Sequence, residues 1–314
     1  MLLRVTHETR YAYTPPVETA QHMAYLRPRE LPRQALLEHA LEITPEPAQR
    51  SESVDVYGNG RAFFALESQH DTLVVTARSL VRTHAGATAG PGAADRAWEQ
   101  VREHYRYRKD APHDPAAEFV FASHHVPRHD AFSAYARASF APGRPLFEAT
   151  LDLTRRMHAD FIYDGDSTQV NTPAVQALAQ RRGVCQDFAH IMIGCLRTLG
   201  LPARYVSGYL LTQPPPGQPR LLGSDASHAW VSAYLPGADG QPGTWADFDP
   251  TNGRQPGEDY VVLAMGRDFA DVSPMRGVLH GGAGHTLAVA VTVEPADEAG
   301  ADDTHAGQPP ARGP

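Results

Sequence analysis

The sequence predicts an α+β protein with two domains, a β-rich one ahead of a core that mixes helices and strands. Three observations carry this. Residues 2–13, 18–27, 36–44, 61–67 and 72–82 alternate in a strand-like way and are parted by segments such as Pro15-Pro16 and Tyr57-Gly58-Asn59-Gly60. Residues 84–95 are small and glycine-rich. Beyond them the apolar period changes from two to three and four. Short strands at the first spacing predict a small β-sandwich over residues 1–83. Residues 84–95 read as a linker, 96–294 as the core, and 295–314 as a disordered acidic tail.

Pro15-Pro16 is expected to end the first strand. In the core, 95–107, 129–139 and 144–162 carry helical periodicity, the last through Leu146, Leu151, Leu153, Met157 and Phe161. Thr172 suits an N-cap and Pro173 a first helical position, so a helix is expected over 173–181. The next helix begins at Cys185. Phe188, Ile191, Met192, Cys195, Leu196 and Leu199 give it one buried face, and Gly200 with Pro202 ends it. Strands follow at 203–211, 228–235, 244–249 and 259–264, with a last alternating run at 285–293.

Composition narrows the function classes. The 314 residues are 42% hydrophobic and 20% charged, which suits a folded globular chain. Net charge is -8, but the end of the chain carries Glu294, Asp297, Glu298, Asp302 and Asp303 against Arg312 alone. The mildly acidic remainder offers no support for nucleic-acid binding. No run approaches a membrane span and the first residues lack a signal-peptide pattern, so a cytoplasmic location without membrane attachment is expected. No C-x-x-C, H-E-x-x-H or phosphate-loop motif occurs, so neither a metal nor a cofactor is expected.

Two cysteines remain, ten residues apart on one expected helix and roughly 15 Å apart along its axis. They are too distant to bond to each other. Cys195 falls on the apolar face and reads as core. Cys185 sits at the helix start, where the dipole and unpaired N–H groups favour a thiolate. Downstream come Ser227-His228-Ala229-Trp230-Val231 and Trp245-Ala246-Asp247-Phe248-Asp249-Pro250-Thr251-Asn252. A thiol nucleophile needs a base, and the base needs a group to hold its tautomer. His228 supplies the first. Asp247 and Asp249 lie on one face of their strand, so spacing alone does not choose between them.

The segment Arg182-Gly183-Val184-Cys185-Gln186-Asp187-Phe188-Ala189-His190, followed by His228-Ala229-Trp230 and Trp245 to Asn252, resembles the transglutaminase-like superfamily of papain-fold enzymes. The start of the chain is similar to the β-rich region that precedes this core in bacterial transglutaminase-like proteins, and Gly266 to Val272 fits the same group. The resemblance implies a Cys185–His228–Asp249 triad, since the family places its Asp immediately before Pro-Thr. It also implies acyl transfer on peptide or protein amides through a thioester. Hydrolysis is favoured over glutamine transamidation, and an idle binding module is a third reading. The Cys185 N–H is the expected oxyanion donor, with Tyr163 and Gln169 weaker candidates for the second. Asp187 is expected to complement the helix dipole, His190 to be a buried hydrogen-bonded core residue, and Trp230 to pack beneath His228.

Overall fold

The computed structural model describes residues 1–85, 96–109, 113–165, 167–212, 227–237, 243–282 and 284–297. Most of the expected linker, and the expected tail beyond 297, lie outside them.

The first five strands are β1 (Leu2–Ala24), β2 (Gln34–Thr44), β3 (Gln49–Val54), β4 (Gly60–Leu66) and β5 (His70–Thr83), hydrogen-bonded in the order β2-β5-β1-β4-β3. β1 is the hinge of this sheet. Its first half pairs with β5, from Leu2 opposite Arg82 to Ala12 opposite Thr72. Its second half pairs with β4, from Ala20 opposite Leu66 to Ala24 opposite Ala62. The sheet therefore folds over on β1, and Leu41, Ile43, Phe64, Leu66, Leu73 and Val75 fill the space between its halves. The expected sandwich is thus one bent sheet whose two layers share a strand.

Pro15-Pro16 does not end β1. The pair falls between Ala12 and Val17, where the ladder to β5 is already interrupted. The missing N–H groups cost no sheet bond there.

The core follows with α1 (Trp98–His104), a 3-10 turn at Pro115–Val120, α2 (Asp130–Ala136) and α3 (Leu146–Asp160). Next come β6 (Ile162–Tyr163), α4 (Ala174–Gln180), β7 (Arg182–Gly183), α5 (Cys185–Thr198), β8 (Ala203–Leu210), β9 (Ser227–Leu235), β10 (Thr244–Phe248), β11 (Tyr260–Gly266) and α6 (Phe269–Val272). Helix α4 starts one residue later than expected. Pro173 occupies the cap position, and the Thr172 hydroxyl instead accepts from the Gln169 N–H at 2.9 Å.

Strands β8 to β11 form an antiparallel sheet in the order β10-β9-β8-β11. Helix α5 packs on it through Phe188, Ile191, Met192, Cys195 and Leu196, all fully buried with Tyr205, Ala229 and Val231. Burial of each large apolar side chain contributes about 1.5–3 kcal/mol. That anchorage holds the first turn of α5 rigidly over the start of β9.

The expected core boundary at 294 needs correction. Strands β12 (Met275–Gly281) and β13 (Gly284–Pro295) return to β1, pairing Ala24 with Met275, Thr14 with Gly284 and Leu3 with Pro295. They belong to the N-terminal sheet. Without them one edge of the longest strand would expose a row of unpaired backbone groups, and the return also buries Val291 and Val293.

Candidate active site

Cys185 is the first residue of α5 and is partly exposed, whereas Cys195 is fully buried. The approach to the nucleophile is tight. Asp187, in the first turn, accepts from the Val184 N–H at 2.9 Å and from the Thr168 hydroxyl at 2.6 Å. It thus does more than complement the helix dipole: it ties the residue just before Cys185 to the loop at Thr168. A side chain at Gly183 would place its Cβ 2.6 Å from the Asp187 carboxylate oxygen, so only glycine fits there. Burial pushes the Asp187 carboxyl up, and the two donors oppose that rise.

His228 enters on β9, opposite Gly208 of β8. A Cβ on Gly208 would lie 2.6 Å from the Trp230 ring. Glycine there makes room for the indole, which stacks on His228 at 6.1 Å between centroids and 28° between planes. His228 Nε2 donates to Asp249 Oδ2 at 2.7 Å, which leaves Nδ1 free to face Cys185, whose thiol is near enough to help raise the imidazole's pKa. Of the three side chains singled out from the sequence, His228 and Asp249 are in direct contact, from the start of a strand and the turn after another, and Cys185 at the start of a helix lies near the imidazole.

Asp249 is fully buried and saturated with donors. Besides His228, Oδ2 accepts from Asn252 Nδ2 and from the Tyr260 hydroxyl, each at 2.7 Å. Oδ1 accepts from the backbone N–H groups of Thr251 at 2.8 Å and Asn252 at 3.1 Å. Burial alone would raise its pKa, but the bonds from His228, Asn252 and Tyr260 hold it below the usual carboxylate range. Burial likewise favours neutral His228. The Asp249 bond, and after it the contact with Cys185, outweigh burial and push His228 up to about 10.

Asp247, the rival on the same strand, lies elsewhere. It pairs across the sheet with Ser232 and sits 3.8 Å from Arg33, with Arg204 nearby. The Arg204 guanidinium in turn stacks 4.0 Å over the Trp245 ring. His190 is buried and its Nε2 accepts from the Phe269 N–H at 3.2 Å, as expected of a core histidine. Tyr163 is half-exposed near Cys185, and Gln169 is exposed with its N–H bound to Thr172. Among the described residues no cluster of His, Cys, Asp and Glu suited to a metal ion occurs, and no helix is long and apolar enough to cross a membrane.

Sequence reasoning missed Tyr260, the side chain of Asn252 and Thr168. Tyr260 opens an apolar strand and reads as core. Asn252 lies in the Asp-Pro-Thr-Asn turn, where its side chain could have been suspected.

The fold is of the transglutaminase-like, papain-like type, and comparison with known proteins places the chain in that superfamily. Residues 3–82 match the bacterial transglutaminase-like N-terminal region and residues 133–250 match the transglutaminase-like superfamily. The chain belongs to the transglutaminase-like superfamily. An uncharacterized protein of Mycobacterium tuberculosis, Rv2569c, is 42% identical over 88% of this chain and 87% of its own length. The uncharacterized ML0607 of Mycobacterium leprae is 31% identical over 93% of this chain and 98% of its own. A structure from Cytophaga hutchinsonii, determined as that of a cysteine protease candidate, matches with a TM-score of 0.69 at 22% identity, covering 95% of this chain and 92% of that one. It shares the fold.

Proposed function

We propose that the protein is a cysteine-dependent hydrolase of peptide or other amide bonds. The observation that supports this most is the His228–Asp249 bond at 2.7 Å, with the carboxylate saturated by donors and the Cys185 thiol near the imidazole. The Cys185 thiolate, paired with His228 protonated at both ring nitrogens, bonds through its sulfur to the amide carbon. The Cys185 N–H opens α5 and so has no acceptor within its own helix, which suits it to the oxyanion. The C–N bond then breaks, His228 gives the proton to the leaving amine, and a thioester remains. Water activated by the same imidazole cleaves the thioester and restores the ion pair.

A primary amine in place of water would give transamidation with the same residues. Mass spectrometry of products from a peptide library, with and without a primary amine, separates the two. Hydrolysis predicts acids in both samples, whereas dominant amine adducts would replace this reading with transamidation. No turnover of any amide, with Cys185 alkylated no faster than Cys195, would leave the idle binding module.

A further inference from the structure

We propose that Tyr260 is a positioning residue for the Asp249–His228 pair, and that the N-terminal domain sets it through Gln34. The inference rests on the hydrolase reading of the same site and extends it to the role of the first domain.

Strand β11, which Tyr260 opens, is an edge of the core sheet, with β8 on one side only. On the other side two side-chain amides of the N-terminal domain replace a neighbouring strand. Gln34 Nε2 donates to the Val262 carbonyl at 2.8 Å, and the Val262 N–H donates back to Gln34 Oε1 at 2.7 Å. Asn59 repeats the pattern at Met265, donating to its carbonyl at 2.7 Å and accepting from its N–H at 2.9 Å. Each amide offers one donor and one acceptor, as a paired strand residue does. The register of β11 shifts between Val262 and Ala264, which lets residues 262 and 265 both address this edge. Both amides are buried, Gln34 at 3% and Asn59 at 0% exposure, so the four bonds are shielded from water. Leu31, from the loop before β2, packs against the apolar cluster to which Tyr260, Trp230 and Val262 belong.

The line of contact is therefore continuous. The N-terminal domain holds β11, β11 holds the Tyr260 ring edge-on to Trp230 at 5.3 Å, and the Tyr260 hydroxyl holds Asp249 Oδ2. Three donors reach that one oxygen, from β9, from the turn after β10 and from β11. Their directions fix the carboxylate plane, and thereby the imidazole tautomer that presents Nδ1 to Cys185. Tyr260 touches no reacting atom, so its contribution is orientation. The N-terminal domain is on this view part of the catalytic machinery rather than an appended binding module.

The test uses the full-length chain and proton NMR of the His228 Nε2–H, identified as the low-field resonance lost in Asp249→Asn. Wild type should show it, and Tyr260→Phe, which removes one oxygen atom, should exchange it with water at least ten times faster. Thermal melting of the variant should stay within a few degrees of wild type. Gln34→Leu should act in the same direction. If that variant fails to fold, the Tyr260→Phe spectrum decides alone. A resonance unchanged in Tyr260→Phe, or absent from wild type, overturns the inference. The hydrolase reading is judged separately by alkylation, and it falls if Cys185 reacts with iodoacetamide no faster than Cys195.

Discussion

Two carboxylates two residues apart mark two regions of one strand with opposite chemistry. Asp249, in the turn after β10, accepts five hydrogen bonds and is held below the usual carboxylate range. Asp247, within the strand, is also withdrawn from water but faces two guanidinium groups at longer range, and burial pushes it up. Burial acts on both in the same direction, so it does not distinguish them. Short, directed donors do. A carboxylate wrapped in N–H and O–H groups can orient and charge an imidazole, while one placed among arginines mainly balances buried charge.

The largest effects should separate the two regions by activity. Cys185→Ala should abolish amide turnover with the melting temperature nearly unchanged, since the side chain is partly exposed at a helix start. His228→Ala should lower kcat/KM by about 10⁴-fold, and Asp249→Ala by less, about 10²–10³-fold, because it orients rather than transfers the proton. Asp247→Ala should leave kcat/KM within a few-fold of wild type. An Asp247→Ala enzyme slower than Asp249→Ala would reverse the comparison.

Alkylation contrasts the two thiols in the same way. Iodoacetamide at neutral pH should label Cys185 at least 100-fold faster than Cys195, whose thiol is fully buried and pushed up to about 12. Peptide mapping by mass spectrometry reads the ratio, and equal rates would remove the case for an activated nucleophile.

The pH dependence sharpens the difference next. His228 is raised in the folded state, so its contribution to stability is fully present below its ordinary pKa of 6.5 and is lost as pH rises towards about 10. Asp249 is lowered, so its contribution is present above the ordinary carboxylate range and is lost as pH falls through its depressed value. Urea unfolding of wild type should therefore show a loss on the order of 1–3 kcal/mol between pH 6 and 10. Asp249→Asn should flatten that alkaline loss, because the group that raises His228 is gone. A variant with the wild-type slope would mean that Asp249 does not charge the imidazole.

The smallest effect belongs to Asp247. Its loss leaves Arg204 without its nearby carboxylate, and Asp247→Ala should destabilise by about 1 kcal/mol in urea melts. A stability equal to wild type would show the arginine region to be indifferent to its charge balance.

Much of the architecture was legible because its signals are local. The alternation in the first 83 residues, the three-and-four spacing from Phe188 to Leu196 and the stop at Gly200 each depend on residues near in sequence. The positions of Cys185, His228 and Asp249 were legible as motifs. Three features were not. Pro15-Pro16 looked like a strand end, yet β1 continues because the pair sits in a gap of the ladder. Strands β12 and β13 looked like the tail of the core, yet they complete the sheet of β1, more than 250 residues away in sequence. Tyr260 looked like one more apolar strand residue.

By itself the sequence determined the kinds of element, the family and the groups that carry the proposed chemistry, since periodicity and motif are written in neighbouring residues. Only the tertiary structure decided that Tyr260 and Asn252 hold the Asp249 carboxylate, which strands share a sheet, and that Gln34 and Asn59 close the edge of β11. Those outcomes depend on where donors and acceptors point after distant segments pack. A hydrogen bond is made or lost over a few tenths of an ångström, a precision that spacing along the chain does not contain.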